Sequence, residues 1–303
     1  MSKTLSEIRI RDPFVLPMGS ENKYYLFGTT HINRQFGPQG FDCYTSSDLE
    51  SWDGPFPAWR PEPDMEYVDF WAPEVYEVDG SFYMFATLKT LEGFRHSRCF
   101  KATSPTGPYH LHGQTLTPSH WACLDATLFI DPQNQPWVIY CHEWKQCFDG
   151  GMYAQRLSDE LDQPIGRPVY LFSASEAPWT IHSANGPEPD RFPVYVTDGP
   201  FIHRTQSGTL LMLWSSCGQK GYAMGLARSM SGDIAGPWEH IEKPVWLEDG
   251  GHGMLFRTFE DKLQLAIHVP NKAPDERPHF FEVREQNDEL VMQKQAITGE
   301  SCV

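Results

Sequence analysis

The sequence predicts an all-β protein folded as a five-bladed β-propeller. Five short apolar runs, rich in aromatic and β-branched residues, recur along the chain, and each follows a tight turn and another short strand-like segment. The residues between successive hairpins leave room for two further strands per repeat, as a propeller blade requires. The five runs occupy 24–30, 82–88, 137–144, 210–216 and 263–269.

The strand-like segment that opens each hairpin completes the repeat. A β-sandwich gives no reason for five equivalent hairpins, and the coils of a parallel β-helix are shorter, so both are weaker alternatives. Residues 279–293 read as a strand, an Asn-Asp turn and a strand that complete the fifth blade. We therefore predict a single propeller domain over 1–303. The opening segments are 11–17, 71–78, 125–131, 198–204 and 252–257.

Composition limits the classes of ligand. The chain has 303 residues with 40% hydrophobic content, enough for a substantial core. Its net charge of −16 argues against nucleic acid and anionic membrane surfaces, which require clustered Lys and Arg. Aromatic residues make up 14% of the chain and include 10 Trp, which suits stacking surfaces for ring-shaped ligands.

Cysteine usage and the N-terminal segment bear on the cellular compartment. The chain has 7 Cys, an odd number, without a Cys-x-x-Cys pair, so reduced and mostly buried thiols are expected. The first residues, MSKTLSEIRIRDPF, contain no apolar signal-peptide region, and no apolar run is long enough to span a membrane. These features predict a cytoplasmic protein.

The starts of the five opening strands should meet at one end of the propeller axis. Aligning them places Asp12, Ala72, Asp125, Asp198 and His252 in register. Carboxylates brought this close repel one another and raise at least one pKa, which disfavours stability and therefore suggests a functional site. A turn role for each Asp alone is ordinary, but three in the same register of a repeat indicate an active site.

The segments RDPFVLP, DATLFID, DGPFIHR and GGHGMLF together resemble glycoside hydrolase family 43. The resemblance extends from Asp12 to at least His268 and implies a five-bladed propeller that hydrolyses glycosidic bonds with inversion. It implies that Asp12 is the general base, that Asp125 tunes and orients the acid, and that Asp198 is the general acid. Inverting chemistry needs two carboxyl groups on opposite sides of the bond with room for water between them.

The acid position departs from the family pattern. The family motif has Glu-Gly-Pro, whereas this chain has Asp198, whose carboxyl lies about 1.5 Å further back on the same backbone. Either the substrate lies deeper or Asp198 has lost the acid role. Glu188 and Glu143 are the alternative acids.

Sugar recognition needs aromatic platforms and hydrogen-bonding side chains around the catalytic groups. We expect Trp71 to be the main platform, and Arg191 to bind a hydroxyl or pair with Asp198. The family resemblance also places His252 in the central channel, where it often contacts a calcium or sodium ion; no cofactor is expected to be required. The predicted substrate-binding residues are Phe70, Trp71, Glu74, Trp121, His142, Glu143, Glu188 and Arg191.

The resemblance implies a carbohydrate substrate, and α-L-arabinofuranosidase is the expected activity. β-D-Xylosidase and exo-galactanase activities of the same fold are alternatives. A non-catalytic carbohydrate-binding propeller is a further alternative, favoured by the Asp at 198. Retaining β-fructosidase chemistry is disfavoured because the sequence lacks its Glu-Cys acid motif.

Overall fold

The fold is a five-bladed β-propeller, as the sequence predicts. The computed structural model describes residues 2–30, 39–62, 65–186 and 191–293. Each blade is a four-stranded antiparallel sheet whose strands follow one another in chain order, from the innermost strand outward. The predicted hairpins are the first two strands of the five blades, and the 279–293 hairpin supplies the last two strands of the fifth.

The strands are grouped by blade. The first blade contains β1 (Arg11–Met18), β2 (Lys23–Thr29), β3 (Phe41–Ser46) and β4 (Asp53–Trp59), and the second contains β5 (Tyr67–Val78), β6 (Ser81–Thr90), β7 (Arg95–Ala102) and β8 (His110–Thr115). The third contains β9 (Cys123–Ile130), β10 (Pro136–His142), β11 (Gly151–Leu157) and β12 (Pro164–Ser173). The fourth contains β13 (Asp198–Arg204), β14 (Leu210–Gly218), β15 (Gly221–Ser229) and β16 (Trp238–His240), and the fifth β17 (Gly251–Arg257), β18 (Leu263–Val269), β19 (Arg277–Gln286) and β20 (Glu289–Met292).

Helical structure in the described part of the chain is limited to short segments. A four-residue α-helix, α1 (Trp144–Cys147), follows the second strand of the third blade, and 3-10 turns occupy Leu5–Glu7 and Ala174–Glu176. Within these ranges no helix is long and apolar enough to cross a membrane.

The hydrophobic core lies between the faces of neighbouring blades. Apolar side chains from adjacent sheets form clusters at successive blade interfaces, with Trp52 and Trp214 among the largest fully buried residues. Aromatic and aliphatic side chains from the first three strands of the blades supply this packing, because both faces of each sheet are covered by neighbouring blades. Packing between blades fixes the inner strands around the axis and so determines where their first residues converge.

The N-terminal segment joins the first and fifth blades. Arg277 donates from Nε to the carbonyl oxygen of Ser6 at 2.8 Å, and Lys3 pairs with Trp52 through an isolated β-bridge. The buried carboxylate of Glu276 lies 3.5 Å from Nε of Arg9. These contacts hold the start of β1 against the fifth blade.

Candidate active site

Each inner strand has one residue in the left-handed region of backbone space, at a β-bulge. The φ angles are 56° at Asp12, 46° at Ala72, 57° at Asp125, 50° at Gly199 and 48° at His252. The antiparallel register shifts at each of these positions. Left-handed backbone costs a non-glycine residue roughly 1–2 kcal/mol, so four such residues at equivalent bulges indicate that the rest of the structure enforces the conformation.

The sequence alignment of the five strand starts is wrong by one residue in the fourth blade. Gly199, and not Asp198, occupies the position equivalent to Asp12 and Asp125. Asp198 pairs with Ser215 just before the bulge, as Arg11 pairs with Thr29 in the first blade. The spacing of the motifs could not identify the bulged residue. In the first and third blades the Asp itself is bulged, whereas in the fourth blade Gly199 is bulged and Asp198 precedes it.

Asp198 nevertheless shares one pocket with the other predicted catalytic residues. This pocket has a volume of about 240 Å³ and lies where the inner strands begin. Four carboxylates line it, together with Arg11, Arg95, His252 and the two tryptophans Trp71 and Trp144; the carboxylates belong to Asp12, Asp125, Glu143 and Asp198. The structure thus brings together acids that are far apart in the sequence.

Asp12 is a buried carboxylate surrounded by basic groups. Thr29 donates from Oγ1 to Asp12 Oδ2 at 2.7 Å, and Nε of Arg11 lies 3.4 Å from Oδ1. Nδ1 of His252 lies 3.1 Å from the same oxygen. Burial alone would raise the pKa of Asp12, but His252, Arg11 and the Thr29 hydrogen bond together hold it below its ordinary value. Asp12 is therefore suited to remain ionised and to accept a proton from water.

Asp125 is buried and close to the other two acids. The backbone N–H of Gly199 donates to Asp125 Oδ2 at 3.2 Å, and Nδ1 of His252 lies 3.8 Å from this oxygen. Burial, followed by repulsion from Asp198 and Asp12, raises the pKa of Asp125 well above its ordinary value. Asp125 is thus held by the backbone of the next blade, directly beside Asp198.

Asp198 has the environment of a general acid. Burial raises its pKa to about 7, although Arg11 and a hydrogen bond from Tyr222 oppose the shift. The Tyr222 hydroxyl donates to Asp198 Oδ2 at 3.1 Å. The Arg11 guanidinium lies 5.9 Å from the centre of the Tyr222 ring and 4.0 Å from Glu276. Near neutral pH, Asp198 can therefore hold a proton while Asp12 is ionised.

Glu143, Arg95 and Trp71 form a second side of the pocket. Arg95 donates from Nη1 to Glu143 Oε2 at 2.5 Å, and Lys145 lies 3.5 Å from Glu143 Oε1. The Arg95 guanidinium also covers one face of Trp71, 4.5 Å from a ring centroid. Trp71 and Glu143 thus line the pocket as predicted, but Glu143 is ion-paired, which does not favour it as the acid.

The remaining predicted substrate-binding residues are absent from the described lining of this pocket. Phe70 is buried between Phe41 and Trp59 in the interface of the first two blades, because the side chain that precedes Trp71 points to the opposite face of the strand. The predicted assignment of Phe70 to the sugar site is therefore wrong. Arg191 lies on an exposed loop with its guanidinium 5.0 Å from the Phe192 ring. Glu188 lies outside the described residues.

Trp121 and His142 stack on each other outside the pocket lining. Their ring centroids are 4.5 Å apart with an interplanar angle of 5°, and His142 Nε2 contacts Gln146 Oε1 at 2.8 Å. Glu74 is buried below the pocket, where the Tyr76 hydroxyl donates to its Oε2 at 2.5 Å. These three residues therefore pack and form hydrogen bonds with other side chains, and none of them lines the pocket.

The described residues contain no cluster of metal-ligating side chains that would support the predicted metal site at His252. Within them, no group of three or more His, Cys, Asp or Glu side chains is arranged to hold a metal ion. His252 directs Nδ1 toward Asp12 and Asp125, and burial lowers its pKa below the ordinary value. Nδ1 of His252 therefore belongs to the carboxylate network, and an ion in the channel stays a prediction.

Several residues of the site were not predicted from the sequence. Arg11 and Arg95 line the pocket, Tyr222 binds Asp198, and His268 contacts the backbone of Asp12. Arg11 could have been suspected, because it precedes Asp12 and takes the pre-bulge position of its strand. Tyr222 reaches the site from the third strand of the fourth blade and His268 from the second strand of the fifth, and the sequence gives no signal for either.

Comparisons with known proteins agree with this fold. The family described as Glycosyl hydrolases family 43 matches residues 3–292. An endo-arabinase structure from Bacteroides thetaiotaomicron superposes with a TM-score of 0.85 at 36% identity, covering 94% of this chain and 97% of that one. An α-L-arabinofuranosidase structure from Lactobacillus brevis gives a TM-score of 0.76 at 19% identity, covering 94% of each chain.

A curated relative matches over a smaller part of its own length. It is a beta-xylosidase from Bacillus subtilis (strain 168), 23% identical over an alignment of 229 residues that covers 69% of this chain and 38% of the xylosidase. The matched region thus spans well under half of that enzyme. The fold, the pocket with its carboxylates and the match over 3–292 together show that this chain belongs to glycoside hydrolase family 43.

Proposed function

We propose that this glycoside hydrolase is an inverting enzyme that releases terminal α-L-arabinofuranosyl residues from plant-type oligosaccharides or polysaccharides. The observation that carries the proposal is the contrast between two carboxyl groups of one pocket: the pKa of Asp12 lies below its ordinary value, whereas that of Asp198 is raised to about 7. Paired carboxyls whose environments separate their pKa values suit a base and an acid.

The proposed reaction uses each carboxyl once. Asp198 donates its proton to the glycosidic oxygen as the bond from that oxygen to the anomeric carbon breaks. Asp12 accepts a proton from water as the water oxygen bonds to the anomeric carbon on the opposite face of the sugar. Asp125, whose pKa is raised by burial and by repulsion from Asp198 and Asp12, orients Asp198, and solvent then restores the protonation states of Asp12 and Asp198.

The sugar preference rests on the relatives and on the size of the pocket. The B. thetaiotaomicron relative, at 36% identity, is an endo-arabinase, which favours an arabinose-containing substrate. A pocket of about 240 Å³ suits one terminal sugar better than a segment of polysaccharide. β-D-Xylosidase activity is the second candidate, favoured by the resemblance to the B. subtilis beta-xylosidase.

A panel of aryl α-L-arabinofuranosides, β-D-xylosides and β-D-galactosides tests the proposal. We expect fastest turnover of the arabinofuranoside, and NMR should show the first-formed sugar with inverted configuration. Asp12→Asn should lower kcat by about 10²–10⁴-fold, as expected for loss of a general base. Asp198→Asn should be similarly slow with a poor leaving group and much less affected with a dinitrophenyl leaving group, which needs no proton.

The exposed Asp159→Asn variant is the control, with unchanged kinetics expected. Binding without turnover across the panel would instead support a non-catalytic carbohydrate-binding propeller. Full activity of Asp198→Asn on the poor leaving group would exclude Asp198 as the acid.

A further inference from the structure

The bulged residue of each inner strand has a backbone N–H that requires an acceptor outside its own ladder. In four blades the acceptor comes from the second strand of the preceding blade. Thr29 Oγ1 accepts from Ala72 at 2.7 Å, Thr87 Oγ1 from Asp125 at 2.8 Å, Ser215 Oγ from His252 at 2.8 Å and His268 Nδ1 from Asp12 at 3.2 Å. The four acceptors occupy equivalent positions, each paired with the residue just before the bulge of its own blade.

His268 differs from the other three acceptors because it is an imidazole and because it serves Asp12. Its side chain is completely buried on β18. An amide N–H can only donate, so Nδ1 of His268 presents its lone pair to the Asp12 N–H at 3.2 Å, while Asp12 Oδ1 lies 3.6 Å from Nδ1, beyond hydrogen-bond distance. The remaining proton therefore lies on Nε2, which contacts Asn271 Oδ1 at 3.1 Å. Asn271 thus fixes the tautomer that makes Nδ1 an acceptor.

The same ring also contacts the residue that holds the acid. His268 stacks on Tyr222 with centroids 5.7 Å apart and an interplanar angle of 22°. Tyr222 donates to Asp198 at 3.1 Å. Burial lowers the pKa of His268 to about 3, so its form does not change over the working pH range. One neutral side chain therefore contacts the backbone of the base and the tyrosine that binds the acid.

We propose that His268 is the positioning residue of the general base. Its neutral imidazole accepts the backbone N–H of Asp12 and holds the left-handed conformation that directs the Asp12 carboxylate into the pocket. This inference rests on the proposed function of Asp12. His268 touches no substrate and transfers no proton, so its effect should appear in the chemical step rather than in substrate binding.

A matched pair of amide substitutions tests the role. His268→Asn places its amide oxygen where Nδ1 lies, whereas His268→Gln places its amide group near the position of Nε2. We expect His268→Asn to keep kcat within about threefold of the native enzyme, and His268→Gln to lose at least about tenfold in kcat with KM nearly unchanged. His279→Asn, on the neighbouring strand β19 with an exposed side chain, is the control.

Two NMR measurements test the geometry independently of turnover. The ¹⁵N shifts of His268 should show a protonated Nε2 and an unprotonated Nδ1 from pH 5 to 8, and the Asp12 amide should exchange at least about tenfold faster in His268→Gln than in His268→Asn. Protonated Nδ1, or equal kcat losses in the two variants, would overturn the proposal. If the native enzyme hydrolyses no glycoside, the proposed function fails while these shifts still decide the role of His268.

Discussion

The junction between the third and fourth blades differs from the other four. Elsewhere a Thr, Ser or His side chain on a second strand accepts the bulge N–H of the next blade. The equivalent residue at the exceptional junction is Cys141, which pairs with Leu124 on the inner strand. Gly199 N–H donates there to Asp125 Oδ2. A carboxylate of the proposed active site thus replaces the cap, that is, the side-chain acceptor of the bulge N–H.

This difference explains how Asp125 is held. Thiol sulfur is a weak hydrogen-bond acceptor. The Gly199 N–H therefore donates to the Asp125 carboxylate, a stronger acceptor, instead of to Cys141. Asp125 is fixed at both ends, since its own N–H donates to Thr87 and its carboxylate accepts from Gly199. Glycine at 199 is required, because a Cβ on it would lie 2.6 Å from Cγ of His252. The comparison predicts that Asp125 combines a structural and a catalytic role.

Replacing Asp125 separates these roles and should have the largest effect. Asp125→Asn retains an oxygen that can accept the Gly199 N–H, whereas Asp125→Ala leaves that N–H without an acceptor. We expect both variants to lose about 10²-fold or more in kcat/KM, since both remove the carboxyl beside the acid. Asp125→Ala should be less stable than Asp125→Asn by roughly 1–3 kcal/mol of unfolding free energy, the cost of an unsatisfied buried group.

Steady-state kinetics and urea unfolding measure the two effects. Asp159→Asn serves again as the exposed control. Equal stability of the Asn and Ala variants would show that the Asp125 carboxylate does not act as a cap.

The sequence predicts the repeating architecture better than the details of the site. Aromatic hairpins repeat because every blade must bury the same two faces, so the five blades follow from the pattern. The position of the bulge in the fourth blade does not, because Asp198, Gly199 and Pro200 show no apolar alternation that would mark the bulged residue. His268 and Tyr222 were missed because they lie within apolar strands and gain their roles only when blades meet.

Glu74 provides a second buried carboxyl for comparison with Asp125. Its described hydrogen bond comes from the Tyr76 hydroxyl, which also contacts Thr127 Oγ1 at 2.8 Å. Burial raises the pKa of Glu74 to about 8 from 4.5, against the effect of these hydroxyls. The unfolded chain therefore loses this proton at lower pH than the folded protein, and stability should fall as pH rises from about 4.5 to 8.

Glu74→Gln should remove this component of the pH dependence and stabilise the protein at pH 7 by roughly 3 kcal/mol, from about 1.4 kcal/mol per pH unit. Urea unfolding at several pH values measures the change. The exposed Glu77→Gln variant on the same strand is the control and should leave the slope unchanged. If the unfolding free energy of Glu74→Gln depended on pH as it does in the native protein, Glu74 would be ionised in the folded protein.

Cys141→Ser gives the exceptional junction the kind of cap found elsewhere. The new hydroxyl should compete for the Gly199 N–H and release the Asp125 carboxylate from its fixed orientation. We expect kcat to fall about tenfold, equivalent to about 1.4 kcal/mol, with little change in KM. Cys99→Ser, at another buried cysteine in β7, controls for the exchange of sulfur for oxygen. Equal kinetics of the two variants would contradict a special role for Cys141.

Thr87→Val tests an ordinary cap and should have the smallest effect. Valine matches threonine in shape but offers no acceptor, so the Asp125 N–H would be left buried and unpaired. We expect a loss of about 1 kcal/mol in unfolding free energy and a fewfold decrease in kcat. Thr87→Ser keeps the hydroxyl and should stay near native values in both measurements. Because the two variants differ chiefly in that hydroxyl, equal stability would mean that packing alone holds the left-handed backbone at Asp125. The caps would then be a consequence of the propeller geometry and would not stabilise it.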